Sequence, residues 1–375
     1  MVTLHSSEVA SQEPSLQAGG RFDRARLIAA VPGRALLRVH RPAYLILCYH
    51  LVADGDVDHV QHVFDYKSPA QFRADLEYLA EHHGRADAGP FAWFPVPRPT
   101  RRGEALLTFD DGHRECATVV QPLLKALSFS AIFFVTTNAI NNRCLLPQHL
   151  VSVAIARLLR APTEEQTDLF RVAQRVFGIG LVSTRSCVEY LGALMRRDET
   201  ERLRELLAAW GNLEDEYLAR VQPYLSESEV RTMAEDGFVI GAHGVDHMRL
   251  HHVPADKVER QIVESCARIK SITHQDVVPF AFPYSMRVNL RLLGDIARRH
   301  PFVGAFFGAG GVWQMPDGFY NRIVADWRWR AESGLTNLPI LINHAYLMAA
   351  EGGVRGIGRR LRKALGLNVD IRESH

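Results

Sequence analysis

The sequence predicts an α/β fold: a distorted (β/α) barrel interrupted by a helical insertion. Three observations lead there. Short apolar runs alternate with segments of helical spacing. The runs are apolar at every position, as in a parallel sheet covered on both faces. Acids and histidines follow the runs directly, at strand ends where barrel chemistry collects. A chain of 375 residues is long enough for a large α/β domain with an insertion.

Residues 1–40 mix Ser, Gln, Gly and Arg without periodicity and read as a flexible N-terminal arm. The first part of the barrel spans 41–145. Its run at 44–49 is a buried strand delivering His50. Ser68, Pro69 and Gln71 form a helix start, with a capping box and a proline in the first turn, and Phe72, Leu76 and Leu79 recur at helical spacing. A second strand, 105–109, ends in Asp110-Asp111-Gly112. A helix over 122–127 and a strand over 131–135 complete a β-α-β unit.

Residues 146–224 have helical spacing and no convincing strand, which predicts an insertion acting as a lid or docking surface. The second part of the barrel spans 225–350. Ser226 and Glu229 form a capping box, and Gly237 ends that helix. A strand over 238–242 reaches His243. A helix over 255–270 buries Val258, Ile262, Cys266 and Ile269. Strands are expected at 280–282, before Pro283-Tyr284, and at 302–307. Gly308 to Gly311 read as a flexible turn, because no Lys-Ser/Thr follows. The tail, 351–375, is basic: Arg355, Arg359, Arg360, Arg362 and Lys363 alternate with Ile357, Leu361, Leu365 and Leu367. That pattern suits a solvated terminal helix or one lying on an anionic membrane surface.

Composition narrows the function classes. Lys+Arg 44 against Asp+Glu 42 leaves a net charge of +2, which gives no case for nucleic-acid binding. The five cysteines are scattered without a Cys-x-x-Cys pair, so neither a disulfide framework nor a cysteine zinc site is expected. The segment 27–30 is soon broken by Pro32-Gly33 and resembles no signal peptide, and no run approaches the ~20 apolar residues of a membrane span. The expectation is a cytoplasmic enzyme, with peripheral contact at the inner membrane face as an option for the tail.

Three strand ends carry chemistry. Adjacent carboxylates on an extended strand point to opposite faces, so one of Asp110 and Asp111 can hold a metal while the other faces substrate. His243 and His247, four apart, can share one face of a helical turn and grip one ion, with Asp246 available to orient a ring. Pro283 shapes a rigid loop beside the pocket.

Together, Thr108-Phe109-Asp110-Asp111-Gly112, His243-x-x-x-His247 and Phe282-Pro283-Tyr284 resemble the polysaccharide deacetylase, or NodB-homology, family over 44–135 and 225–325. The resemblance implies one divalent ion, expected to be Zn2+, on Asp111, His243 and His247, with Asp110 as catalytic base. It makes the Tyr284 backbone amide an oxyanion donor beside Pro283. It also implies hydrolysis of the N-acetyl group of an acetylated amino sugar in a glycan, a lipid-linked or a nucleotide-linked saccharide.

Two positions depart from the family pattern. Gly244 stands where Ser or Thr is usual, and Ala281 where an arginine is usual. These departures leave a non-catalytic carbohydrate-binding barrel as the competing reading. The missing arginine also matches the circularly permuted poly-N-acetylglucosamine deacetylases, whose acid histidine lies near the N-terminus. By that match His50 is the general acid, with His344 as its competitor. Arg322 can supply the missing guanidinium to Asp110 or help bind substrate, or it is simply exposed. Asp326-Trp327 resembles the family element that tunes the acid histidine, with core packing of the Trp-rich stretch around it as the alternative.

Overall fold

The computed structural model describes residues 44–94, 103–180, 183–195, 197, 199–251, 253–284, 286–312, 315–326 and 337–353. The arm at 1–40, Trp327 and the basic residues of the tail, Arg355 to Lys363, lie outside the described residues.

Nine parallel strands form one sheet among the described residues: β1 (Leu45–Tyr49), β2 (Gly84–Arg85), β3 (Glu104–Phe109), β4 (Ala131–Val135), β5 (Val239–Ala242), β6 (Val278–Ala281), β7 (Val303–Gly308), β8 (Phe319–Asn321) and β9 (Ile323–Val324). The order is β8-β7-β6-β5-β4-β3-β1-β9, with β2 beside β3. β8 and β9 stand at the two ends of this path, yet only Arg322 separates them in sequence. One continuous run therefore pairs with β7 on one side and β1 on the other, and brings the eight-stranded barrel nearly to closure. β1 lies between β3 and β9, so the first described strand adjoins the last.

Alternation along each strand sorts the side chains. Leu45, Leu47 and Tyr49 face outward against Phe72, Leu76 and Leu79 of helix α1 (Pro69–His82). Ile46 points inward to join Leu106, Ile132, Phe134, Ala281 and Phe307. Both faces are apolar because both are covered, which is why these runs read without alternation in the sequence. A 3-10 turn, Gly89–Ala92, adds Phe91 to the inner cluster. Gly304 on β7 admits this turn, since a Cβ there would stand 1.9 Å from the Ala92 carbonyl oxygen.

Outside the sheet lie α1, α2 (Gln121–Ala126), α8 (Glu227–Glu235), α9 (Ala255–Thr273), α10 (Leu290–Arg299) and α11 (Asn337–Gly353). Both capping boxes, Ser68/Gln71 and Ser226/Glu229, are present. Between α2 and α8 come α3 (Pro147–Arg160), α4 (Thr163–Phe177), α5 (Thr184–Leu194), α6 (Thr200–Ala209) and α7 (Leu213–Val221). These five helices bury a core of their own, including Leu150, Leu158, Leu191 and Leu206. Their exit is pinned to the loop after β3: Arg114 N donates to Pro223 O, and Leu225 N to Gly112 O.

The sequence reading missed β2, β8, β9 and α10. The run before His344, with its proline, belongs to α11 rather than to a strand. No helix among the described residues is long and apolar enough to cross a membrane.

Candidate active site

The inward alternation of β3 through Leu106 and Thr108 carries Asp110 to the mouth of the barrel. Arg322, at the junction of β8 and β9, meets it from below. Its two terminal nitrogens donate to Asp110 Oδ1 at 2.6 Å and Oδ2 at 2.8 Å, a bidentate charge-assisted pair. Its remaining donors reach Thr108 Oγ1 and the Gly308 carbonyl, both at 3.1 Å. The Cys48 thiol also donates to Asp110 Oδ2, at 3.4 Å. Burial alone would raise the Asp110 pKa, but Arg322 outweighs it, helped by His243, and holds it at about 2. Arg322 is 1% exposed and committed to Asp110, so of the roles open to it in the sequence the structure gives it the carboxylate, not an open substrate position. Ala281, where the family's arginine would stand, is buried inside the barrel.

Asp111 leaves the extended line at φ 71° and Gly112 follows at φ 81°. Gly112 is needed there, since a Cβ would also press on Val135 Cγ1 at 2.8 Å. The turn aims Asp111 Oδ1 at His247 Nε2, 3.0 Å away, and at His243 Nε2, 3.5 Å away. His243 Nδ1 lies 2.9 Å from the Ala281 carbonyl. A carbonyl only accepts, so Nδ1 carries the proton and Nε2 presents its lone pair to the site.

The His-x-x-x-His pair is not a helical turn. His243 follows β5, and left-handed Gly244 (φ 80°) and His247 (φ 59°) fold the loop until the rings lie 5.0 Å apart. The Gly244 carbonyl accepts from Thr137 N, and Val245 N donates to Gln261 Oε1. Asp246 is exposed and His247 Nδ1 has no partner, so Asp246 does not orient that ring.

These residues fit a divalent ion. Both Asp111 oxygens are buried without a hydrogen-bond partner, and one donor atom from each of Asp111, His243 and His247 lies within 4.8 Å of the others. Burial lowers the His243 pKa to about 4, against the pull of Asp110 and Asp111, so the ring is neutral at pH 7, as a metal ligand would need to be. Burial would raise Asp111, but His247 and His113 hold it well below the usual carboxylate range.

His50 follows β1 directly. Its Nδ1 donates to Asp326 Oδ2 at 2.7 Å, and its backbone N–H reaches the same oxygen at 2.8 Å. Burial works against the imidazolium, but the bond and charge of Asp326, then Asp111 and Asp110, raise its pKa to about 9. One ring nitrogen lies within 4.8 Å of a carboxylate oxygen of Asp110. His344, the competing acid, sits on α11 and not at a strand end. Pro283 is buried, and Tyr284 takes φ 66°. The Tyr284 ring packs 4.9 Å from that of His247, and the Arg249 guanidinium lies over it at 3.6 Å.

The helical insertion contributes to this site, which the sequence reading did not anticipate. Gln148 Nε2 lies 3.5 Å from His247 Nε2, and Gln148 Oε1 accepts from Tyr284 OH at 3.4 Å. His149, with His113 from the loop after β3 and His59 from the loop after β1, fills the space beside Asp111. Only His113 carried a signal, standing directly after Asp-Asp-Gly. Nothing in the helical spacing distinguishes Gln148 or His149.

The geometry defines an α/β barrel with a candidate metal centre flanked by Asp110 and His50 at the C-terminal ends of its strands. The chain belongs to the polysaccharide deacetylase family, whose model matches residues 98–182 and 184–302, more than half of its length. Among solved structures it is similar to a Streptococcus pyogenes deacetylase, PplD, in complex with acetate (15% identity, 75% of this chain and 91% of that one, TM-score 0.46). It is also similar to IcaB from Ammonifex degensii (16%, 81% and 97%, 0.49) and to a de-N-acetylase from Aggregatibacter actinomycetemcomitans (14%, 80% and 99%, 0.47). No curated protein sequence matched the chain.

Proposed function

We propose that the chain hydrolyses the N-acetyl group of an acetylated amino sugar, using one divalent ion, Zn2+ in the first instance, held by Asp111, His243 and His247. The observation that carries this reading is the buried, unpartnered Asp111 carboxylate between two imidazoles, with Asp110 and His50 beside it. A bound divalent ion would supply Lewis acidity, acidifying water toward a pKa of about 7 and polarising the acetyl carbonyl.

The chain's own groups do the rest. Asp110 is ionised and clamped by Arg322, so it stands in one orientation as proton acceptor. His50, protonated at neutral pH through Asp326, donates to the departing nitrogen, without which the amide is a very poor leaving group. The Tyr284 backbone amide is the proposed oxyanion donor. Arg322 reaching Asp110 compensates Ala281, and the positive φ of Gly244 accounts for its missing side chain, so neither departure favours a non-catalytic barrel.

The test is acetate release from N-acetylglucosamine oligomers, lipid-linked and nucleotide-linked acetylated sugars, with metal content measured alongside. Zinc-loaded protein releasing no acetate from any of them would overturn the reading.

A further inference from the structure

Asp111 has two carboxylate oxygens, and only Oδ1 faces the His243–His247 pair. Oδ2 faces another pair: His113 Nε2 at 3.6 Å and His149 Nε2 at 3.8 Å. All three side chains are at most 1% exposed. Neither Asp111 oxygen has a hydrogen-bond partner, and neither does Nε2 of His113 or of His149. Buried polar atoms are rarely left so, and the three converging here, Asp111 Oδ2 and the two Nε2 atoms, ask for something between them.

The spacing says what. At 3.6 and 3.8 Å the nitrogens are too far from Oδ2 for direct hydrogen bonds. They are close to the edge, about 3.4 Å, of a tetrahedron whose arms are the ~2.1 Å of zinc–nitrogen and zinc–oxygen bonds. The first triad shows similar separations, 3.0 and 3.5 Å.

Both rings are also held as metal-binding imidazoles are, by the nitrogen that does not face the site. His113 Nδ1 lies 3.3 Å from His59 Nε2, and His59 Nδ1 lies 2.9 Å from Tyr217 OH. His149 Nδ1 lies 2.7 Å from Tyr224 OH, which in turn accepts from Leu146 N at 2.9 Å. His59 and Tyr224 engage the two Nδ1 atoms, so in the tautomer protonated there each ring turns an Nε2 lone pair to the carboxylate, where a cation would join them. His247 of the first triad has no such support at Nδ1.

We propose that Asp111, His113 and His149 form a second divalent-cation site, so that Asp111 bridges two ions of the zinc class. Two imidazoles and a carboxylate select such an ion over Mg2+ or Ca2+, which take oxygen ligands. The site shares Asp111 with the proposed His243–His247 centre, and its catalytic value rests on that reading. A carboxylate shared by two ions donates less to each, so the ion on His243 and His247 becomes the stronger Lewis acid. The helical insertion, through His149, thereby becomes part of the metal centre.

The test is metal stoichiometry of the full chain, stripped with a strong chelator, reloaded with Zn2+ and passed through a weak chelator before elemental analysis. Two zinc ions per chain are expected in the wild type, falling to one in His113→Gln and in His149→Gln, and to one in His247→Gln. One ion in the wild type, kept in His149→Gln and lost in His247→Gln, overturns the second site and leaves the first reading standing. One ion lost in His149→Gln and kept in His247→Gln supports this site and overturns the first. No retained zinc overturns both. The wild-type count needs no substitution, and circular dichroism of each variant separates ligand loss from misfolding.

Discussion

Asp110 and Asp111 are neighbours with opposite company: a guanidinium clamps the first, and imidazoles surround the second. We expect Asp110→Asn to retain its metal and lose activity by about 10²–10⁴-fold, the usual weight of a proton-transfer group. Asp111→Asn should lose metal as well. Paired elemental analysis and acetate release check the division, and equal metal content in the two variants would refute it. His50 gives a pH signature. Its pKa rises from 6.5 to about 9, and Asp326 is the largest cause acting upward. Asp326→Asn should therefore move the alkaline limb of kcat/KM to lower pH. The stability that the His50–Asp326 pair contributes is complete below about 6.5 and fades as pH rises through about 9. The stability gap between wild type and variant, followed by denaturant titration at several pH values, should narrow across that window. Gly244→Ser should cost about 1–2 kcal/mol, because φ 80° is a left-handed conformation that side chains resist. A variant as stable as the wild type would show that backbone conformation does not explain this glycine.

At the scale of elements, the insertion is tied to the site through Tyr224, whose hydroxyl serves both Leu146 and His149. Tyr224→Phe should destabilise the protein by about 1–3 kcal/mol, the cost of leaving buried partners unmade. Equilibrium unfolding measures it. The strands that the sequence revealed are those buried on both faces, such as β1, β3 and β4, where apolar runs admit little else. β8 and β9 escaped because Phe319-Tyr320-Asn321-Arg322-Ile323-Val324 is short and mixed, its polar members turned to partners that only the closed barrel supplies. The site divides the same way. Asp110, Asp111, His243 and His247 stand in compact motifs at strand ends, where their spacing is visible. His149 comes from the insertion, and only the packing of that insertion against the barrel brings it to Asp111 and against His59. The pairing of His243 with His247 was legible but its conformation was not, because the fold of that loop depends on Thr137 and Gln261 from other elements.

For the whole molecule, a ligand that binds only the folded state adds stability in proportion to the logarithm of its excess. Zn2+ at 100 times its dissociation constant should add about 2.7 kcal/mol, and chelation should remove it. Calorimetric melting with and without chelator reads this directly, and an unchanged Tm would count against a folded-state metal centre. The run 319–324 that spans the gap between β7 and β1 has a consequence in time as well as in space. Synthesis proceeds from the N-terminus, so His50, Asp110, Asp111, His243 and His247 all leave the ribosome before Arg322 and Asp326. A nascent chain already contains every ligand proposed for the metal, but Asp110 still lacks its guanidinium and His50 its carboxylate. Arg322 and Asp326, which flank the last described strand, are thus the last to reach Asp110 and His50. An incomplete chain would hold the proposed metal ligands, but the proposed acid and base would gain their partners only when the ring closes.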